Sequence, residues 1–113
     1  MNVRLIVPNQ PRPDRWGIPV DSLPVWWYGR AIADIAGGFT ATQGTGGWID
    51  NQGNLVMEPV TVFDCSVEPD SNCFPGPFGI AEDFRNLAKL IAADLRQECV
   101  YLSIDGKVEY IRP

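Results

Sequence analysis

A chain of 113 residues, 45% hydrophobic and 20% charged, has the make-up of a single folded domain and not of a disordered segment. Its net charge of -5 excludes non-specific binding to nucleic acid, which rests on a basic footprint, and no apolar run reaches the ~20 residues of a membrane-crossing helix. Histidine is absent, which removes the usual general base, the Ser-His and Cys-His nucleophile pairs and most zinc and haem sites. No metal and no cofactor is therefore expected. The start of the chain does not read as a signal peptide, and a cytoplasmic protein is expected. Cys65, Cys73 and Cys99 match no metal spacing and are read as reduced thiols.

In chain order, the run VRLIV within residues 1–8 is aliphatic and β-branched and is stopped by Pro8, so it predicts a first strand. Residues 9–19 are a proline-punctuated loop. Its Arg12, Arg15 and Trp16 are read as a rim ion pair and a loop anchor in preference to a platform for a planar ligand. Asp21 or Ser22 can cap a helix that runs to Ala36, with Pro24 tolerated in its first turn and Gly37-Gly38 ending it. At 3.6 residues per turn Leu23, Trp27, Ala31 and Ile35 stack towards the core, with Tyr28 and Ile32 beside them. Trp26, Arg30 and Asp34 then form an outward row: a subunit interface, a ligand platform, or a tryptophan covered by the 9–19 loop.

Residues 38–67 are the stretch around which the chain is organised. Two β-type runs, 38–43 and 55–67, flank a glycine-rich bend and a tight Asn51-Gln52-Gly53-Asn54 turn, which predicts a long, bent hairpin. Thr40, Thr42 and Thr61 alternate with Phe39, Ala41, Val60 and Val62, which suggests one apolar and one hydroxyl-lined face. Gly44, Thr45, Gly46 and Gly47 are expected to interrupt the first strand as a bulge, with Trp48 folding over the space they leave. A phosphate cradle is a weaker reading, since no Lys-Ser/Thr follows and no helix begins there. Pro59 cannot donate to a ladder, so Glu58-Pro59 marks an edge or a second bulge.

Residues 68–79 form a long loop whose Phe74 and Phe78 pack on the core or meet another chain. From residue 80 to residue 98 the pattern is helical, with Phe84, Leu87, Ala88, Ile91 and Leu95 on one face and Glu82, Arg85, Lys89 and Arg96 facing away. Residues 99–104 and 107–111 are two short strands joined by Asp105-Gly106, the strongest hairpin signal in the chain. The order strand, helix, strand, strand, helix, strand, plus one C-terminal strand, predicts a ferredoxin-like α+β sandwich. Its two helices lie on one face of an antiparallel sheet. The other sheet face is left uncovered, and a homo-oligomer is expected to cover it.

With Gly38-Phe39-Thr40, the glycine-tryptophan run 44–48, Asp50 with Gly53, Leu55-Val56, Glu58-Pro59, and Gln97-Glu98 leading into strand 100–102, the chain resembles a family of small bacterial and phage proteins catalogued as a domain of unknown function. The likeness spans roughly residues 38 to 104; it implies a ferredoxin-type fold and brings no activity. The loops at 9–19 and 68–79 depart from that family's pattern.

Three functions follow from these residues. The first is a non-enzymatic binder, of phage counter-defence type, that sequesters a nucleotide-like signal between subunits. Its candidate ligand-binding residues are Arg30, Thr40, Thr42, Gly44, Thr45, Gly46 and Trp48. The second is a protein-protein inhibitor of a host defence enzyme, with an acidic surface and Trp26, Phe74 and Phe78 as interface anchors. The third is a histidine-free enzyme using carboxylates such as Asp50, Glu58 and Glu98.

Overall fold

The computed structural model describes residues 1–11, 25–67 and 79–113. The proposed cap at Asp21 or Ser22, Leu23, the Arg12, Arg15 and Trp16 cluster, and Phe74 and Phe78 lie outside these residues. Two helices, α1 (Val25–Ala36) and α2 (Ile80–Asp94), pack on one face of a sheet. Its strands are β1 (Asn2–Pro8), β2 (Thr40–Ile49), β3 (Leu55–Ser66), β4 (Val100–Ile104) and β5 (Lys107–Ile111). All pairings are antiparallel and the spatial order is β2-β3-β1-β4-β5, which is the ferredoxin-like order with β5 added at the β4 edge. No described helix is long and apolar enough to cross a membrane.

The core lies between helices and sheet. Leu5 pairs with Phe63 on one side and Leu102 on the other, so one row of fully buried side chains crosses the three central strands. Phe84, Leu87, Ala88, Ile91 and Leu95 of the α2 segment are buried against it, as their spacing predicts. On α1 the buried residues are Tyr28, Gly29, Ile32 and Ala36, while Trp27 remains 38% exposed; the core-facing stripe is rotated by one residue from the expected Leu23, Trp27, Ala31, Ile35 row. The reason is a close approach. Phe39 and Phe63 stack edge to face at 5.1 Å directly under Gly29, where a Cβ would stand only 3.1 Å from the Phe39 ring. The tyrosine hydroxyl donates a hydrogen bond to Asp94 of α2, tying the two helices together.

Two expected irregularities are absent. β2 runs unbroken through Gly44–Gly47, every residue from Thr40 to Ile49 facing its partner in β3, so the glycines make no bulge. Pro59 likewise stays in register opposite Thr45. Its carbonyl accepts the Asn9 N–H at 3.0 Å, so its nitrogen looks towards the β1 side, where the β1–β3 ladder has ended at Pro8 and Val60. A donor is missing only where the ladder has run out.

The register also moves Thr61 to the helix side, opposite Gln43 and away from Thr40 and Thr42, so the three threonines do not share a face. Thr61 is buried and satisfied: it donates to Asn9 Oδ1 at 2.5 Å and accepts from Gln43 Nε2 at 3.1 Å, while Asn9 Nδ2 donates to Gln43 at 2.9 Å.

α2 ends earlier than its charge pattern suggests. Arg96 takes a left-handed conformation (φ 55°), and the Gln97 N–H reaches back to the Ala92 carbonyl at 2.9 Å, closing the helix before Glu98. Arg85, expected to be solvated, instead grips Glu109 of β5 through both Nε and Nη2 (3.1 Å each) and fastens the added strand to the helix layer. At the hairpin tip, Asp50 Oδ1 accepts the N–H groups of Gln52 (2.9 Å) and Asn54 (2.8 Å), while Gly53 sits at φ 81°. Asp50→Ala is expected to cost about 1–2 kcal/mol and loosen the tip, read as faster amide exchange at Gln52 and Asn54 with unchanged exchange in β1.

Candidate functional site

The sheet face opposite the helices carries no described helix. Residue parity places Arg4, Ile6 and Pro8 of β1 on it, with Thr40, Thr42, Gly44, Gly46 and Trp48 of β2. From β3 come Val56, Glu58, Val60, Val62 and Asp64, and from β4 and β5 Tyr101, Ser103, Val108 and Tyr110. The β2–β3 ribbon extends beyond the last β1–β3 pair, Pro8 with Val60, and leaves a corner between the projecting ribbon and the ends of β1 and β4. An open hollow of about 840 Å³ fills that corner. This lies within the range of small-molecule sites.

Local sequence builds this hollow. Gly44 and Gly46 present no side chain on the exposed face, so the floor beside Trp48 stays low; a Cβ on Gly46 would meet Val60 at 3.2 Å. Trp48 and Tyr101 supply aromatic walls, and Glu58, Glu98 and Asp50 supply carboxylates. Among the described lining residues there is no lysine or arginine. Glu58 stands opposite Gly46 on the exposed face, the Asp50 carboxylate accepts two N–H groups of its own turn, and Glu98 is solvent-exposed. A hollow with aromatic faces and carboxylates attracts a cation with a planar group.

A second, smaller hollow of about 410 Å³ adjoins it and shares Tyr101. Arg4, held by Asp64 at 2.8 Å, stands there with Thr40 and Ser103. The hydrogen bond and charge of Asp64 raise the Arg4 guanidinium above its ordinary pKa, so the group stays cationic. Together the two hollows offer a negative, aromatic end and an end with a charged guanidinium.

Of the residues expected from sequence to bind a ligand, Thr40, Thr42, Gly44, Gly46 and Trp48 share this face. Thr45 points to the helix side. Arg30 is on the outward side of α1, across the sheet, paired with Asp34 at 3.1 Å; Trp26 lies on the same helix and is 71% exposed. Sequence reading missed Tyr101, Arg4 and Ile6. Alternation of buried Val100 and Leu102 around Tyr101 was the available signal, since it turns the tyrosine to the opposite face. Of the described cysteines, Cys65 is buried and its thiol is pushed up to about 11, first by burial and then by Asp64; Cys99 is exposed at the mouth of the larger hollow.

Fold and site together define an α+β protein of ferredoxin-like topology with an acidic, aromatic hollow on the sheet face opposite its two described helices. No protein-family model and no curated protein matches the chain. Among solved structures it is similar to a phage SAM lyase in complex with S-methyl-5′-thioadenosine. The TM-score is 0.65, the match covers 99% of this chain and 88% of that chain, and sequence identity is 15%. The likeness is one of fold. It corrects the expectation of a non-enzymatic protein: the structure that shares this fold along nearly the whole chain is that of an enzyme.

Proposed function

We propose that this protein binds S-adenosylmethionine, SAM, on its open sheet face and cleaves it as a lyase, releasing S-methyl-5′-thioadenosine. The observation that carries the reading is the larger hollow, with Trp48 and Tyr101 as aromatic walls, Glu58 as a carboxylate, and no cation among its described lining residues. A sulfonium nucleoside carries a planar base, a cationic sulfur and an α-ammonium, and each finds a counterpart there. The fold shared with a SAM lyase supports the same class of reaction.

The chemistry suits a chain without histidine. S-methyl-5′-thioadenosine is what remains of S-adenosylmethionine when the bond from sulfur to Cγ of the amino-acid chain breaks. A lyase breaks that bond without water, either by elimination, which needs a base, or by internal displacement, which needs none. In the displacement the substrate's own carboxylate oxygen attacks Cγ, the Cγ–S electron pair goes to sulfur, and a neutral thioether departs with a lactone as co-product. No proton moves. Opposite charges merge along this path, so a site drier than bulk water favours it.

Glu58 is assigned to the α-ammonium, which keeps its charge throughout. Set against the sulfonium it would bind the ground state more tightly than the transition state, in which sulfur has shed part of its charge. Trp48 and Tyr101 are assigned to the adenine and sulfonium faces. Consumption of S-adenosylmethionine starves enzymes that depend on it, in keeping with the phage counter-defence role expected from sequence. The test is to incubate the purified protein with S-adenosylmethionine and follow release of S-methyl-5′-thioadenosine by liquid chromatography and mass spectrometry. Product formation supports the reading. Neither product nor calorimetric binding at millimolar substrate overturns it.

A further inference from the structure

We infer that Thr61, with Asn9 and Gln43, is a positioning element of the proposed substrate site: from the helix side of the sheet these side chains hold the segment Gln10-Pro11, which walls the larger hollow. This rests on the reading of that hollow as the place where S-adenosylmethionine binds. Gln10 and Pro11 line the hollow together with Ile6 and Pro8. The ladders that hold β1 end before them: pairing with β4 stops at Ile6 and Tyr101, and pairing with β3 stops at Pro8 and Val60. Past that point, among the described residues, one backbone bond continues, from the Asn9 N–H to the Pro59 carbonyl at 3.0 Å. A wall tied to its sheet by a single backbone bond opens easily unless a second hold is present.

The second hold is a closed ring of side-chain hydrogen bonds. Thr61 Oγ1 donates to Asn9 Oδ1 at 2.5 Å and accepts from Gln43 Nε2 at 3.1 Å, while Asn9 Nδ2 donates to Gln43 Oε1 at 2.9 Å. One member follows β1, one belongs to β3 and one to β2, so the ring ties the exit of β1 to the two strands that run on as the projecting ribbon. Thr61 is 2% exposed, and among the described residues it and Gln97 are the only polar side chains so buried. Valine would fill the same space and suit a strand equally well, so packing gives no reason for a hydroxyl here. Fixing Asn9 does.

None of the three side chains lines the hollow, so they act through the wall and not on the substrate. With Asn9 held by both its backbone and its side chain, the next two residues leave the sheet in one direction, along the hollow that Trp48 and Tyr101 also line. A wall of this kind meets the bound molecule in ground state and transition state alike, so its contribution belongs to KM. Threonine, asparagine and glutamine carry no charge and do not titrate, so the clamp holds at any pH at which the fold persists.

The experiment is steady-state cleavage of S-adenosylmethionine by the full chain, wild type beside Thr61→Val, Thr61→Ser and Asn9→Ala, with circular dichroism confirming the fold. Thr61→Val and Asn9→Ala are each expected to raise KM about three- to tenfold and to leave kcat within about twofold. Combined, they should do no more than the larger single effect, and Thr61→Ser should restore the wild-type KM. A merely structural role predicts the opposite split, since loss of folded protein lowers the apparent kcat and leaves KM alone. An unchanged KM in both Thr61→Val and Asn9→Ala, or no restoration by Thr61→Ser, overturns the inference. Amide exchange at residue 9 gives a readout independent of the reaction: faster exchange in Thr61→Val, with the central β1 and β3 amides unchanged, supports the clamp, and equal exchange overturns it. A wild-type protein that neither cleaves nor binds S-adenosylmethionine defeats the reading of the hollow, and exchange at residue 9 then decides the clamp by itself. Should Thr61→Val unfold, Asn9→Ala, at a half-buried position past the end of β1, carries both measurements.

Discussion

Glu58→Gln is expected to lower kcat/KM for cleavage of S-adenosylmethionine by about 10- to 100-fold, the range set by losing one charge-assisted contact of about 1.5–3 kcal/mol. The substitution keeps the shape and hydrogen-bonding reach of the side chain and removes its charge. Because the proposed partner is the α-ammonium, which is charged in ground state and transition state alike, the loss should appear chiefly in KM. Glu98→Gln provides the contrast. Glu98 lines the same hollow but is exposed, so its change should stay within about threefold, the scale of a solvent-screened charge. Trp48→Ala should also raise KM by removing an aromatic wall, about 10-fold or more if the ring stacks on adenine. Full activity in Glu58→Gln with a large loss in Glu98→Gln would move the ammonium site to the exposed end of the hollow.

Tyr28→Phe is expected to destabilise the protein by about 1–3 kcal/mol, measured by urea unfolding at neutral pH. The ring is fully buried, and its hydroxyl donates to Asp94 across the α1–α2 contact, so the variant leaves that carboxylate short of a donor. A pH effect accompanies it. Burial first, then the hydrogen bond to Asp94, raises the hydroxyl above its ordinary 10.0, so the folded state holds this proton more tightly than the unfolded chain. The contribution is complete below pH 10 and is lost as pH rises from there through the higher folded value. Wild-type stability should therefore fall on alkalisation, and part of that fall should be missing from Tyr28→Phe. Parallel alkaline slopes in the two proteins would show that Tyr28 does not govern the loss.

The α1 stripe shows why some of the fold was legible and some was not. In α2 the apolar residues are confined to one side, and periodicity alone picks out Phe84, Leu87, Ala88 and Ile91. In α1 the sequence VWWYGRAIADIA is apolar almost all round, so several stripes one residue apart fit equally well. The choice falls to Gly29, where Phe39 and Phe63 need a position without a side chain. The glycines of β2 misled for a related reason. Gly44, Gly46 and Gly47 weaken a strand in isolation, yet here ten consecutive pairs with β3 hold them extended.

The candidate site was half legible. Alternation along β2 brought Thr40, Thr42, Gly44, Gly46 and Trp48 to one face, since period two is a local property. Tyr101 and Arg4 belong to strands far away in sequence, and only the pairing of β1 with both β3 and β4 places them beside that face. Arg30 failed to join because a helix lies between it and the sheet, a fact of layering that no local pattern carries.

The sequence by itself determined the number, type and order of the elements, the Asp105-Gly106 hairpin, the core face of α2 and the want of a histidine base. These depend on neighbours within a few residues, where propensity, turn chemistry and composition act directly. Tertiary structure decided the strand register that parts Thr61 from Thr42, the seating of α1 on Gly29, the clasp of Arg85 on Glu109, and the corner left where β1 stops and the β2–β3 ribbon continues. Each of these is a competition between packings that differ by one residue or one face, and burial of long-range partners settles it.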